Sequence, residues 1–179
     1  QRAELVAGDG IAAYTHTKSS DVDPVTEVDT ATEEFIATTI RAQRPGDGIF
    51  GEEGANVEST SGVTWIVDPI DGTVNFLYGV PDFAVSIGAE YQGRLVAGAV
   101  VNVARGRTYA AAAGQGATVT GPDGKVHPLQ CAHTKNPALA LVATGFGYDA
   151  QRRAAQAELL TKLLPQVRDI RRIGAAALD

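Results

Sequence analysis

The chain has 179 residues, 44% hydrophobic and 20% charged, with 15 Lys plus Arg against 21 Asp plus Glu for a formal net charge of −6. This fits one modest globular domain, or one and part of a second, and excludes disordered, collagen-like and fibrous classes. The acidic balance argues against nucleic acid or an anionic membrane as partner, no apolar run approaches the roughly 20 residues that cross a bilayer, and Gln1-Arg2-Ala3 does not open a secretory signal.

The first predicted element is a helix. Thr26-Glu27-Val28-Asp29 has capping-box spacing with Asp at the third helical position, and Val28, Ala31, Phe35, Ile36, Thr39 and Ile40 follow at helical period until Arg44-Pro45-Gly46 ends it. Asp29 is therefore expected to cap, to function, or both. Gly48-Ile49-Phe50-Gly51-Glu52-Glu53-Gly54 reads as a short strand bounded by glycines with two acids at its end. Pairing with the next strand would set Glu52 beside Asp68 and turn Glu53 the other way.

Val63-Thr64-Trp65-Ile66-Val67 is rich in β-branched and aromatic residues and reads as a buried strand, with Asp68 at its end. Pro69 is expected to stop the ladder, and Ile70-Asp71-Gly72-Thr73 to turn the chain into a helix. Two hard carboxylates three residues apart, with an exposed carbonyl between them and no His or Cys nearby, suit Mg²⁺ or Mn²⁺ rather than zinc. Gly72 and Thr73 would offer backbone N–H groups to an anion at the helix start, which together with a metal points to phosphate chemistry. The plainer alternative is Asp71 as an N-cap and Gly72 as a turn residue.

From Asp82 onward the chain alternates short strands and turns, at 83–89, 95–103 and 108–113, as an antiparallel meander does. Gly121-Pro122-Asp123-Gly124 is a further turn and Leu139 to Thr144 a further strand. A helix over 149–164 follows, with Ala154, Leu159, Leu160, Leu163 and Leu164 as its apolar side, and a strand over 167–173 completes an α/β unit. A soft boundary divides residues 1–130, a metal-binding α+β region, from 131–179, the start of a second α/β region.

Charge is unevenly placed. The 49 residues from Pro45 to Gly93 hold no Lys or Arg yet carry eight acids: Asp47, Glu52, Glu53, Glu58, Asp68, Asp71, Asp82 and Glu90. Acids so concentrated either face water or share a cation. The three histidines are read as surface or hydrogen-bonding residues, Gly114-Gln115-Gly116 as a turn, and the arginines at 168, 171 and 172 as a solvated strand face, with grip on an anion as their alternative. Cys131 is the single cysteine, so no internal disulfide is possible and a reducing cytoplasm is expected. The lack of any Met, and a helix start at residues 173–179 without a stop signal, lead us to expect a fragment.

Three motifs in order carry a resemblance: Asp23-Pro24-Val25-Thr26-Glu27-Val28-Asp29, Gly51-Glu52-Glu53-Gly54, and the very specific Trp65-Ile66-Val67-Asp68-Pro69-Ile70-Asp71-Gly72-Thr73-Val74-Asn75-Phe76. Val85-Ser86-Ile87-Gly88, Gly145-Phe146 and Arg172-Ile173-Gly174 extend it, so that it covers essentially the whole chain. The sequence is similar to the inositol monophosphatase family of Mg²⁺-dependent, lithium-sensitive phosphatases. The resemblance implies a layered α/β fold, the αβαβα sandwich of the sugar phosphatases, and hydrolysis of a phosphate monoester, foremost myo-inositol monophosphate.

It further implies two or three Mg²⁺ ions: a first held by Glu52, Asp68 and the Ile70 carbonyl, and a second shared by Asp68 and Asp71. Thr73, held by Asp29, would with Glu52 orient and deprotonate water, while the amides of Gly72 and Thr73 take the phosphate. Gly174, Ala175 and Ala176 would contact the alcohol, Ala175 standing where a hydroxyl residue is common. The family's third metal-ligating Asp lies in a downstream Trp-Asp motif, past Asp179. A homodimer and a small phosphate ester as the only partner are also implied. Fructose bisphosphatase, 3′-phosphoadenosine phosphatase and histidinol phosphatase share such motifs, although Val74-Asn75-Phe76 favours the inositol type, and a non-catalytic regulatory member is the reading from another class.

Overall fold

A computed structural model describes residues 15–17 and 24–179, with side chains from residue 27 onward. Asp23 and the side chains of His16 and Thr26, including the expected Thr26 cap, lie outside the described residues. Strands β1 (Thr15–Thr17) and β2 (Pro24–Thr26) pair antiparallel and lead into helix α1 (Glu27–Gln43). The main body is an eight-stranded sheet built from β3 (Gly48–Gly51), β4 (Asn56–Val57), β5 (Val63–Asp71), β6 (Ala84–Tyr91), β7 (Arg94–Asn102), β8 (Arg107–Ala112), β9 (Gly116–Thr120) and β10 (Val126–Leu129). Their spatial order is β10-β9-β8-β7-β6-β5-β3-β4. From β5 to β10 neighbours in sequence are neighbours in space; the expected meander corresponds to β6, β7 and β8, while β9 and β10 extend it past the strands read from the sequence, and β3 joins β5 as the sheet's parallel pair.

α1 packs on β5 over the core of Ala37, Ile49 and Val67, with Ile36, Ile40, Trp65 and Ile87 around it. The helix does not bury the whole apolar set expected. Ala31, Phe35 and Thr39 share an exposed stripe, Phe35 at 72% exposure, and the stripe facing the sheet is Asp29, Glu33 and Ala37. Positions i, i+4 and i+8 share one helix face, so two acids replace Phe35 in the interface because the loops beneath them offer hydrogen-bond donors.

Pro69 does not end its strand. β5 continues to Asp71, and the ladder with β6 is interrupted by a bulge: Asp68 faces Ser86 and Asp71 faces Ala84, so β5 advances three residues while β6 advances two. In a regular strand residues three apart point to opposite faces, and the extra bulge residue returns Asp71 to the face of Asp68. Gly72 then takes a left-handed conformation (φ 89°) and opens the short helix α2 (Thr73–Tyr78).

After β10 come β11 (Leu141–Ala143), helix α3 (Ala150–Leu163) and β12 (Asp169–Arg171). β11 and β12 pair parallel in a two-stranded sheet of their own, the strand-helix-strand unit the sequence predicts. Asp149 caps α3 by accepting the Arg152 N–H at 2.8 Å. The helix's apolar side is not covered, however: α3 has no buried residue and Leu159 is 66% exposed. Among the described residues no helix is long and apolar enough to cross a membrane.

Candidate active site

The bulge, the end of β3 and the start of α2 meet at one corner. Glu52 leaves β3 with its N–H donated to the Val67 carbonyl (3.1 Å), which places it next to Asp68 on β5. Glu52, Asp68, Ile70, Asp71, Gly72 and Thr73 form one wall of a cavity of about 230 Å³. Gly145, Phe146, Tyr148, Arg172, Gly174, Ala176 and Asp179 form the other. A larger opening of about 540 Å³ over β6–β10 is walled by apolar residues with Ser86 and Tyr109 among them, without a carboxylate, His, Cys or Lys. The smaller opening is therefore the place for chemistry.

Three networks hold the corner. The Thr73 hydroxyl lies 3.2 Å from Asp29 Oδ1 and 3.1 Å from the Ile70 carbonyl oxygen, two acceptors for one proton. Asp29, 1% exposed, is thus tied to the corner through Thr73 and does not line the cavity. Asp71 does not cap α2, where Gly72 stands at the N-cap without a side-chain bond. Its carboxylate instead accepts the N–H groups of Ala176 (2.8 Å) and Ala177 (2.6 Å), tying the 173–177 turn to the end of β5. Asn75 does the same from α2, donating through Nδ2 to the carbonyls of Ile173 (2.9 Å) and Asp82 (2.6 Å).

The substrate-side expectation needs one correction. Gly174 and Ala176 line the cavity, but Ala175 is 1% exposed and lies beneath the turn, where its methyl would stand 3.0 Å from any Cβ placed on Gly72. Of these three residues only Gly174 and Ala176 line the opening. Glycine at 72 is required twice over, by its positive φ and by this contact.

Asp68 is the electrostatic focus. Burial, and then the adjacent Glu52 carboxylate, push its acid up to about 8. Burial also raises Asp71, opposed by the Ala177 and Ala176 N–H groups. Asp68 Oδ1 is buried without a hydrogen-bond partner. A buried, unpartnered carboxylate oxygen beside a second carboxylate is costly on its own, and a hard cation removes both costs at once. The donors within reach are all oxygens: Glu52, Asp68, the Ile70 carbonyl and Asp71. Among the described residues no three acidic, His or Cys side chains already converge on a point, and Asp71 is turned toward the 176–177 amides.

Sequence reasoning missed Glu33 and the clamping role of Asn75, and placed Arg172 on a solvated strand. Arg172 lies on the cavity wall with its guanidinium 5.9 Å from the centre of the Phe146 ring. Glu33 was legible by counting four residues on from Asp29. The Asn75 contact with Ile173 and the Arg172 contact with Phe146 carry no such signal, because their partners are 98 and 26 residues away.

The sheet, its bulge and the corner belong to a mixed α/β fold, and the comparisons give its family. The chain belongs to the inositol monophosphatase family, which matches residues 3–179. It is 53% identical over 188 aligned residues to the inositol-1-monophosphatase SuhB of Mycobacterium tuberculosis, covering all of this chain and 64% of that protein. The solved structure of Mycobacterium tuberculosis SuhB superposes with a TM-score of 0.77 at 52% identity, over 84% of this chain and 58% of that one. The extragenic suppressor protein suhB of Bartonella henselae gives 0.81 at 32% identity, over 91% and 62%. The chain thus spans a little under two thirds of the relatives it matches.

Proposed function

We propose that the intact protein hydrolyses a phosphate monoester, foremost myo-inositol monophosphate, to the alcohol and inorganic phosphate. One observation carries the reading: Asp68 Oδ1 is buried and unpartnered beside Glu52, at a corner whose remaining donors are hard oxygens. We assign Glu52, Asp68 and the Ile70 carbonyl to one Mg²⁺, and Asp68 with Asp71 to a second. Bound there, Mg²⁺ supplies Lewis-acid polarisation of the phosphoryl oxygens, acidification of water and neutralisation of the leaving alkoxide. The chain's own residues do the rest. Thr73 Oγ1 receives a hydrogen bond from the attacking water while its proton turns to Asp29 Oδ1, and Glu52 takes up the water's proton. The amides of Gly72 and Thr73 face the phosphate, and Gly174 and Ala176 border the alcohol.

Family membership supports the finer expectations: lithium sensitivity, two or three metal ions, a homodimer, and division into a metal-binding region over 1–130 and a second α/β region from 131. The exposed, unbridged Cys131 is in keeping with a reducing cytoplasm. Phosphate release measured on a panel of inositol, fructose, histidinol and 3′-phosphoadenosine esters, with and without Mg²⁺, tests the reading. Mg²⁺-dependent release with inositol monophosphate preferred is the expected result. No release from any ester at saturating Mg²⁺ defeats it.

A further inference from the structure

The bend that presents Glu52 is held from below by a residue with no role so far. Glu33, on the inner face of α1, is 3% exposed, and its two carboxylate oxygens divide between two backbone donors: Oε2 accepts the Glu53 N–H at 2.7 Å and Oε1 the Ala55 N–H at 2.8 Å. These are the short distances of charge-assisted bonds. Two backbone bonds also hold the bend, Gly51 N–H to the Ala55 carbonyl (2.9 Å) and Glu52 N–H to the Val67 carbonyl (3.1 Å). Glu52 is thereby bracketed: its own N–H is tied to β5, and the next amide is tied to α1. Gly51 leaves the room this needs, since a Cβ there would lie 2.4 Å from the Glu33 carboxyl carbon.

We infer that Glu33 is a positioning residue of the metal site, fixing the 51–55 bend so that the Glu52 carboxylate is held toward Asp68. The chemistry asks for a carboxylate at this place. Two converging N–H donors need two acceptor oxygens, and an amide side chain has one acceptor and would set its NH₂ against the second donor. A buried anion is costly and an apolar side chain would leave two amides unsatisfied, so a device whose main product is a fixed bend is worth its desolvation where a ligand must be aimed. Groups that orient metal ligands in this way change metal affinity by about 10- to 100-fold when removed. The inference rests on the metal reading above and extends it to a residue that touches neither metal nor substrate.

The test uses the intact protein, wild type, Glu33→Gln, Glu33→Asp and a Glu34→Gln control, Glu34 being its exposed neighbour on α1. Mn²⁺ binding is measured by calorimetry, and amide exchange at Glu53 and Ala55 is followed in metal-free protein. Glu33→Gln is expected to weaken Mn²⁺ about 10- to 100-fold and to speed exchange at both amides. Glu33→Asp, which keeps the charge but is one methylene short, should fail to restore either, and Glu34→Gln should match wild type. Wild-type Mn²⁺ affinity with unchanged exchange in Glu33→Gln overturns the inference, as does full rescue by Asp, which would make charge the cause. If a variant does not fold, wild-type exchange decides: Glu53 and Ala55 must be protected relative to Gly54, and equal exchange at all three overturns the anchor. A wild type that binds no Mn²⁺ defeats the metal reading instead, while the exchange data still decide whether Glu33 holds the bend.

Discussion

The two ends of the β3–β5 pair each carry an aspartate, Asp47 buried and Asp68 half-buried, and the two have opposite surroundings. At the entrance to β3, Asp47 accepts from Arg44, from the Ser61 hydroxyl (2.6 Å) and from Trp65 Nε1 (2.8 Å). Arg44 first, then Ser61, lower its acid to about 2. At the exit from β5, Asp68 has an oxygen without any partner and is raised by burial and by Glu52. Both lie in the segment without Lys or Arg, yet Arg44 just outside it reaches Asp47, and Arg105 pairs with Asp82 in the same manner. Acidic crowding in sequence therefore does not mark the site. A carboxylate whose partners are complete is structural, and one that keeps a buried oxygen unpartnered beside a second carboxylate marks a candidate functional site.

The largest effect that can sharpen this contrast is Asp68→Asn in the intact protein, which removes a charge without removing volume. Mg²⁺-dependent phosphate release should be lost, while the metal-free protein keeps its fold and gains thermal stability. Near wild-type turnover at saturating Mg²⁺ would break the comparison at its centre.

Thr73 comes next. Thr73→Ala should lower turnover by about 10² to 10⁴, the range of acid–base assistance, with little change in Mn²⁺ affinity, and Thr73→Ser should retain most activity. Equal rates for Ala and Ser would reduce Thr73 to a packing residue held by Asp29.

The pH dependence of unfolding should separate the two aspartates by sign. Asp68 is raised, so between about pH 4 and 8 the folded metal-free chain keeps a proton that the unfolded chain releases, and stability falls as pH rises through that window. Asp47 is lowered, so its contribution is complete above about pH 4 and is lost as pH falls toward 2. Mn²⁺ should abolish the first slope, with proton release on binding near neutral pH, and leave the second untouched. Denaturant midpoints across pH 2 to 9, with and without Mn²⁺, read both. A metal-free stability that rises from pH 5 to 8 contradicts the assignment for Asp68.

The smallest effect is expected from Asp47→Asn: a fall of a few degrees in melting temperature, an acid limb of the stability curve that flattens, and unaltered phosphate release. Lost metal dependence in this variant would mean that the two ends of the strand pair are not independent.

Sequence by itself determined the elements whose cause is local. The glycines and β-branched runs place β3 and β5, alternation places the first strands of the meander, Asp149 starts α3, and the Asp68 to Thr73 stretch sets Asp68, the Ile70 carbonyl and Asp71 close together. Tertiary structure decided what depends on distant partners. The bulge after Asp68 comes from pairing with β6, and it turns two aspartates of opposite parity onto one face. Asp71 finds its amides at 176 and 177 only after the chain has returned through α3 and β12. Glu33 lies on the buried stripe and Phe35 on the open one because loop amides near residues 53 and 55 stand over that face of α1, and hydrophobic period alone carries no record of where those donors lie. Ala175 faces inward for the same kind of reason: its neighbours' N–H groups are claimed by Asp71, and that contact sets which residues of the turn reach the cavity.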